Sequence, residues 1–301
     1  MRVLITGGAG FIGSHVVDAA LESGHEVTIL DDLSTGRREN LNPGARFVEG
    51  DLRIDDDVRA AVSQAPEIVL HLAAQIDVRR SVEDPAFDAE VNVAGTARLL
   101  EHVRLANPSA HVIFSSTGGA IYGDADVIPT SESHVPAPMA PYGTSKLCAE
   151  QYLWLYGRLH GLRTTAMRFG NVYGPRQDPL GEAGVCAIFC GLKVSGGTPT
   201  VYGSGHQTRD FVYVGDVAAA VMAAAARPDA ASGRAFNVGR GQEVSVLDLV
   251  AALDLPDPEL APRRPGEIER SCLDITRIGR ELGWSAQVDL ETGLRRTLDA
   301  V

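Results

Sequence analysis

The chain has 301 residues, 45% hydrophobic and 22% charged; these are globular proportions, sufficient for one large domain or two fused ones, and they exclude a disordered chain. A formal net charge of -12 excludes the basic stripe that nucleic-acid binding needs, so an anionic ligand has to be met by local arginines. Met1 leads directly into an apolar run without a charged leader, the longest strongly apolar stretch (217–226) is about half of a bilayer span, and the cysteines at 148, 186, 190 and 272 lack C-x-x-C spacing. The expectation is a cytoplasmic protein with reduced thiols, no membrane segment and no bound metal.

Residues 3–6 form the first predicted strand and run directly into GGAGFIGSH. Gly8, Gly10 and Gly13 satisfy G-x-G-x-x-G between a strand and an amphipathic helix (11–23), and Gly7, Gly10 and Gly13 give the wider spacing of short-chain dehydrogenases. Missing side chains let the backbone turn tightly and approach a pyrophosphate, whose charge suits the amide-rich helix N-terminus. Gly7, Gly10, Phe11, Ile12 and Gly13 are therefore candidate dinucleotide contacts. A second strand (26–30) leads to Asp31 and Asp32, 18 and 19 positions beyond Gly13, close to the ~20 expected of a carboxylate on the adenosine ribose. That carboxylate favours NAD over NADP, with Arg37 and Arg38 as the features that speak for a ribose phosphate; Asp32 also suits a turn cap. After the third strand (46–49), Asp51, followed by Leu52, either faces the adenine or ends its strand.

Strands at 68–72, 111–115 and 163–169, with a helix expected at 89–106, continue the alternation. A βαβ series implies a doubly wound, mostly parallel α/β sheet, the Rossmann architecture. Tyr142 and Lys146 stand four apart in PYGTSK, with Pro141 at a helix start, so the two side chains share one face. A phenol near pKa ~10 is a poor base at neutral pH, but a neighbouring ammonium and a nicotinium cation both favour its phenolate. Near residue 170 the alternation weakens and Gly and Pro become dense, which predicts a Rossmann domain over 1–168 and a smaller substrate lobe over 169–301, the chain crossing back near 209–236.

The segments GGAGFIGSH, LDDLSTG, HLAAQ, FSSTGGAIYGD, YGTSK and RFGNVYGPRQDP, with VYGSGHQTRDFVYVGDV, RRPGE and LDITRIGRELGW further on, cover nearly the whole chain. Together they resemble the extended short-chain dehydrogenase/reductase family, and in particular its UDP-glucose 4-epimerases. The resemblance implies bound NAD, a nucleotide-sugar substrate, UDP-linked, between two lobes, and a homodimer. Tyr142 would be catalytic base and acid, Lys146 would tune it and hold the nicotinamide ribose, and Thr117, 25 residues before Tyr142, would hydrogen-bond the reacting hydroxyl, with Ser116 the weaker candidate. Asn171, Arg209 and Arg264 would meet the diphosphate and nucleotide, Glu267 would belong to the substrate site, and Ser271 would stand at a gate beside the sugar's second carbon or be an ordinary loop residue. The implied reaction inverts the fourth carbon through a transient 4-keto sugar, with hydride stored on the cofactor. Gly118 and Gly119 follow Thr117 where the family's dehydratases and decarboxylases add an acid, which disfavours elimination. A uronic-acid 4-epimerase or a 4-ketosugar reductase would use the same triad, whereas a catalytically silent NAD-binding protein would not need it.

Overall fold

The computed structural model describes residues 1–179, 184–263 and 268–301. Among the described residues thirteen strands are formed: β1 (Arg2–Thr6), β2 (Glu26–Asp31), β3 (Arg46–Glu49), β4 (Ile68–His71), β5 (His111–Thr117), β6 (Arg163–Phe169), β7 (Asn171–Tyr173), β8 (Thr200–Tyr202), β9 (Thr208–Arg209), β10 (Phe211–Tyr213), β11 (Arg234–Val238), β12 (Val244–Ser245) and β13 (Glu259–Ala261). Seven of them make one sheet in the order β11-β6-β5-β4-β1-β2-β3, parallel throughout. Both faces of β1 and β4 are covered, which is why they read as apolar runs and not as alternating ones. From β1 the chain winds outward to β3, then returns to β4 and winds the other way, so the strand order reverses between β1 and β4. In open α/β sheets ligands bind outside the carboxyl ends of the strands at such a switch point.

The two faces of the sheet build two cores. Val16 and Val17 of the helix Phe11–Glu22 pack with Ile29, Val217, Phe236 and Trp284 on one side. Leu4, Leu99, Leu100, Phe114 and Leu153 form the other. A third cluster, around Tyr173, Phe189, Phe211 and Leu249, belongs to the C-terminal part. After β6 the chain leaves the large sheet and comes back: the apolar helix Val214–Ala226 packs into the first core, and β11 pairs with β6 from Arg234↔Thr165 to Val238↔Phe169.

The helix expected at 89–106 is not continuous. It consists of Pro85–Ala89, a π-helical turn Glu90–Ala94, and Gly95–Ala106. The cause lies in side-chain pairing: Asn92 accepts from the Gln75 amide at 2.9 Å and donates to the Gln75 carbonyl at 2.9 Å, and the wider turn aims it inward. All four cysteines are free. Among the described residues no helix is long and apolar enough to cross a membrane, and no three His, Cys, Asp or Glu side chains are grouped to hold a metal ion.

Candidate active site

Backbone geometry explains each glycine of the first turn. Gly7 lies at φ +73°, and a Cβ there would come within 2.6 Å of the Ala73 amide; a Cβ on Gly13 would meet the Gly7 carbonyl at 1.9 Å. Gly10 caps the helix Phe11–Glu22 without a side chain. The first-turn amides of Phe11, Ile12 and Gly13 thus remain for an external acceptor, since the earliest helical N–H groups have no intrahelical partner.

At the end of β2, Asp31 is buried and accepts from the Ala9 and Leu33 amides, both at 2.9 Å. Leu33 adopts φ 58° to deliver its amide. Burial raises the Asp31 carboxyl against these two donors. Each oxygen keeps a lone pair for a ribose hydroxyl. Asp32 is exposed and caps a turn, taking the Ser34 amide at 2.9 Å and the Ser34 hydroxyl at 2.6 Å. Asp51 is gripped by the Arg53 fork at 2.6 to 3.1 Å, which holds its carboxyl below the usual range, while Leu52 is buried and passes its carbonyl to Arg98. The arginines that could greet a ribose phosphate are engaged with carboxylates: Arg37 with Asp178 at 2.7 Å and Arg38 with Glu49 at 2.5 Å. The glycine turn, the open helix amides and the Asp31 carboxylate fit an NAD molecule.

Thr117 closes β5 and Tyr142 and Lys146 open the helix Pro141–His160. The Lys146 ammonium is buried, donates to the Ser115 carbonyl at 2.9 Å and sits 4.6 Å from the Phe114 ring centroid. Burial lowers it to about 7, against the upward pull of Asp88 and Glu150. Burial pushes the Tyr142 phenol up to about 12, Asp88 adds to the rise, and the Thr117 hydroxyl opposes it by hydrogen bonding. In the free protein desolvation and Asp88 act together on Tyr142, and the Thr117 hydrogen bond is the contact that opposes them. Thr117 accepts the Ala120 amide at 3.2 Å, which leaves its own proton to donate.

Asn171 begins β7, and its Oδ1 is buried without a partner among the described residues, as is the Ser116 hydroxyl. Arg209 and Ser271 are brought together at β9, where the Thr208 carbonyl accepts from Arg209 Nη1 at 2.8 Å and from the Ser271 amide at 3.2 Å. Arg264 and Glu267 lie outside the described residues.

A layer that the sequence reading missed lies beneath the pair. The Ala73 amide donates to Thr6 Oγ1, Thr6 to His71 Nδ1, His71 Nε2–H to Thr96 Oγ1, and Thr96 to the Asn92 carbonyl. The chain of donors assigns His71 as neutral with its proton on Nε2, and burial lowers it to about 3. Gln75, Asp88, Asn92 and Ser145 continue the network. Only the four-residue spacing of Asp88 and Asn92 hinted at this in the sequence.

A Rossmann sheet with this glycine turn, a buried aspartate at the end of its second strand and a helical Tyr/Lys pair beside a strand-end threonine defines a dinucleotide-binding protein of the short-chain dehydrogenase class. The chain belongs to the NAD dependent epimerase/dehydratase family, whose profile matches residues 3–239, and NAD is its cofactor. It is 46% identical over 310 residues to a UDP-glucose 4-epimerase of Mycolicibacterium smegmatis, covering 99% of this chain and 98% of that protein. Against a putative UDP-glucose 4-epimerase of Methanocaldococcus jannaschii the identity is 43% over 306 residues, covering 99% and 97%. Among solved structures, the UDP-glucose 4-epimerase of Thermotoga maritima with UDP-glucose superposes with a TM-score of 0.95 at 42% identity, covering 100% of this chain and 98% of that one. The Thermus thermophilus UDP-glucose 4-epimerase in complex with NAD gives 0.91 at 43%, with the same coverage.

Proposed function

We propose that the chain is a nucleotide-sugar 4-epimerase that interconverts sugars of the UDP-glucose and UDP-galactose type through a transient 4-ketone. The observation that carries this reading is the convergence of Thr117, Tyr142 and Lys146 at the carboxyl end of β5, with Gly118 and Gly119 following Thr117 where elimination chemistry would need an acid. NAD, when bound, supplies the hydride acceptor and donor. Tyr142, once a cofactor's positive charge favours its phenolate, would take the proton of the C4 hydroxyl and return it to the C4 oxygen on reduction. Thr117, with its acceptor side occupied by Ala120, donates to the reacting oxygen and orients it. Lys146, held by the Ser115 carbonyl, keeps two N–H donors for the nicotinamide ribose.

The C-terminal part, with its own core around Tyr173 and Phe211, is the substrate lobe in this reading. Asn171 and Arg209, with Arg264, hold the nucleoside diphosphate while the 4-keto sugar turns over between half-reactions; Arg suits phosphate oxygens through its planar fork. Purified protein incubated with UDP-galactose and followed by NMR should yield UDP-glucose without added reductant. Absence of conversion, with NAD bound, would refute the reading.

Ser271 sets the substrate breadth. A small side chain beside the sugar's second carbon leaves room for an acetamido group, whereas a phenol there would overpack at a cost of ~1 to 3 kcal/mol. We expect turnover of UDP-N-acetylglucosamine as well as UDP-glucose, and selective loss of the acetylated reaction in Ser271→Tyr. Steady-state kinetics on both sugars check this, and equal loss of both activities would defeat it.

A further inference from the structure

We propose that Asp88 is a positioning residue of the Tyr142/Lys146 site, a buried counter-charge on the helix Pro85–Ala89 that is tied to Tyr142 through Asn92 of the following π turn and Ser145. The inference rests on the epimerase reading and adds to it a residue outside the triad.

Asp88 is 1% exposed. Its Oδ1 accepts from Gln75 Nε2 at 2.9 Å and from Asn92 Nδ2 at 3.1 Å, and its Oδ2 has no hydrogen-bond partner among the described residues. A half-paired carboxylate in the interior is costly, so a purely structural polar contact would be better served by an amide. The same Asn92 amide group reaches Ser145 Oγ at 3.1 Å, and Ser145 donates to the Tyr142 carbonyl at 2.9 Å. Asp88 is therefore connected by two side chains to the turn of helix that carries both Tyr142 and Lys146. A cavity of about 490 Å³ is lined by Asp88, Met139, Ser145 and Cys148.

The charge is directed at the pair. Asp88 raises both Tyr142 and Lys146, which holds the phenol's proton and favours the ammonium. Other charges nearby are already matched: Glu150, which also raises Lys146, forms a buried ion pair with Arg168 at 2.6 Å, and His71, under the pair, is neutral. Arg80, on the helix Val78–Glu83, and Arg53 stack on the Phe87 ring beside Asp88, at 4.2 and 5.1 Å from its centroid.

The chain contains only two lysines, Lys146 and Lys193, so lysine-labelled protein gives two side-chain resonances that Lys193→Arg assigns. Titrated by NMR, Lys146 should show its midpoint near 7 in the wild type. In Asp88→Asn the midpoint should fall by about half a pH unit or more, as expected on removing a nearby opposite charge. Both limbs of the kcat/KM pH profile should move acidward with it, because the phenol and the ammonium lose the same neighbour. Asp88→Glu should restore the Lys146 midpoint, and Ser145→Ala should leave it in place while lowering kcat about tenfold with KM unchanged, the loss of one hydrogen bond. An unmoved Lys146 midpoint in folded Asp88→Asn overturns the proposal. Should that variant not fold, an unchanged kcat in Ser145→Ala overturns it. The Lys146 titration needs no substrate, so failure to convert UDP-galactose would count against the function and not against this role for Asp88.

Discussion

The Tyr142 phenol is pushed up to about 12 by burial, so in the proposed reaction it would need the positive charge of an oxidised cofactor beside it to act as a base. Replacement with phenylalanine removes the acid and base but neither the glycine turn nor Asp31. Tyr142→Phe should lower kcat by ~10²- to 10⁴-fold while the protein still binds NAD and keeps its unfolding transition; activity within about threefold of wild type would remove Tyr142 from the chemistry. At the end of β2, Asp31 holds its carboxylate on the Ala9 and Leu33 amides, where the proposed site puts the ribose hydroxyls, and Arg37 and Arg38 are engaged with Asp178 and Glu49. The protein should bind NAD far better than NADP, and Asp31→Ala should erode that preference. Calorimetry on cofactor-stripped protein decides this, with equal wild-type affinities as the contrary result.

Between elements, polar groups join what the apolar cores leave unconnected. The Thr6–His71–Thr96 relay links β1 and β4 to the helix Gly95–Ala106 directly under the site. The Arg168–Glu150 pair ties β6 to the helix Pro141–His160 through two hydrogen bonds of 3.0 and 2.6 Å. His71 gives this layer a pH signature. Its folded value of about 3 lies below the ordinary 6.5, so between those values the unfolded chain binds the extra proton. Stability contributed by neutral His71 is intact above 6.5 and is lost as pH falls toward about 3, by up to about 1.4 kcal/mol per pH unit. His111, lowered to about 4, acts in the same sense. Chemical denaturation between pH 7 and 4 should show this slope, and a His71→Gln variant should show a shallower one; identical slopes would mean that His71 is not held neutral.

Across the whole molecule, one helix serves both the site and the outer surface. The inner face of Pro141–His160 carries Tyr142, Lys146, Ala149 and Leu153 toward β5 and the core. Its outer face exposes Tyr152, Leu155 and Leu159 at 39%, 44% and 65%, and the adjacent helix Gly95–Ala106 exposes Leu105 at 63%. Apolar side chains at three- and four-residue spacing on a solvent-facing stripe suit a helix-on-helix contact between two copies. We expect a homodimer through these helices. Sedimentation should give twice the chain mass, and Leu155→Arg with Leu159→Asp should give monomers; a monomeric wild type at micromolar concentration would refute this arrangement.

The Rossmann class was legible because its signals are local. Strand runs at 46–49 and 163–169 coincide with β3 and β6, the apolar runs of β1 and β4 mark parallel strands buried on both faces, and glycines whose Cβ atoms would strike backbone can be found by spacing alone. The Tyr142/Lys146 pair was visible for the same reason, four residues being one helical turn. Tertiary structure alone decided what depends on contacts distant in sequence. The π turn at Glu90–Ala94 exists because Asn92 meets Gln75, a pairing that no hydrophobic period records. The upward shift of Tyr142 follows from desolvation, which is a property of the folded surroundings and not of the neighbouring lysine in the sequence. Likewise, that Asp32 caps a turn while Asp31 looks inward toward the glycine turn was settled when the β2 end packed against Ala9 and Leu33 presented its amide; one residue's difference in register along a strand exchanges the buried face for the exposed one.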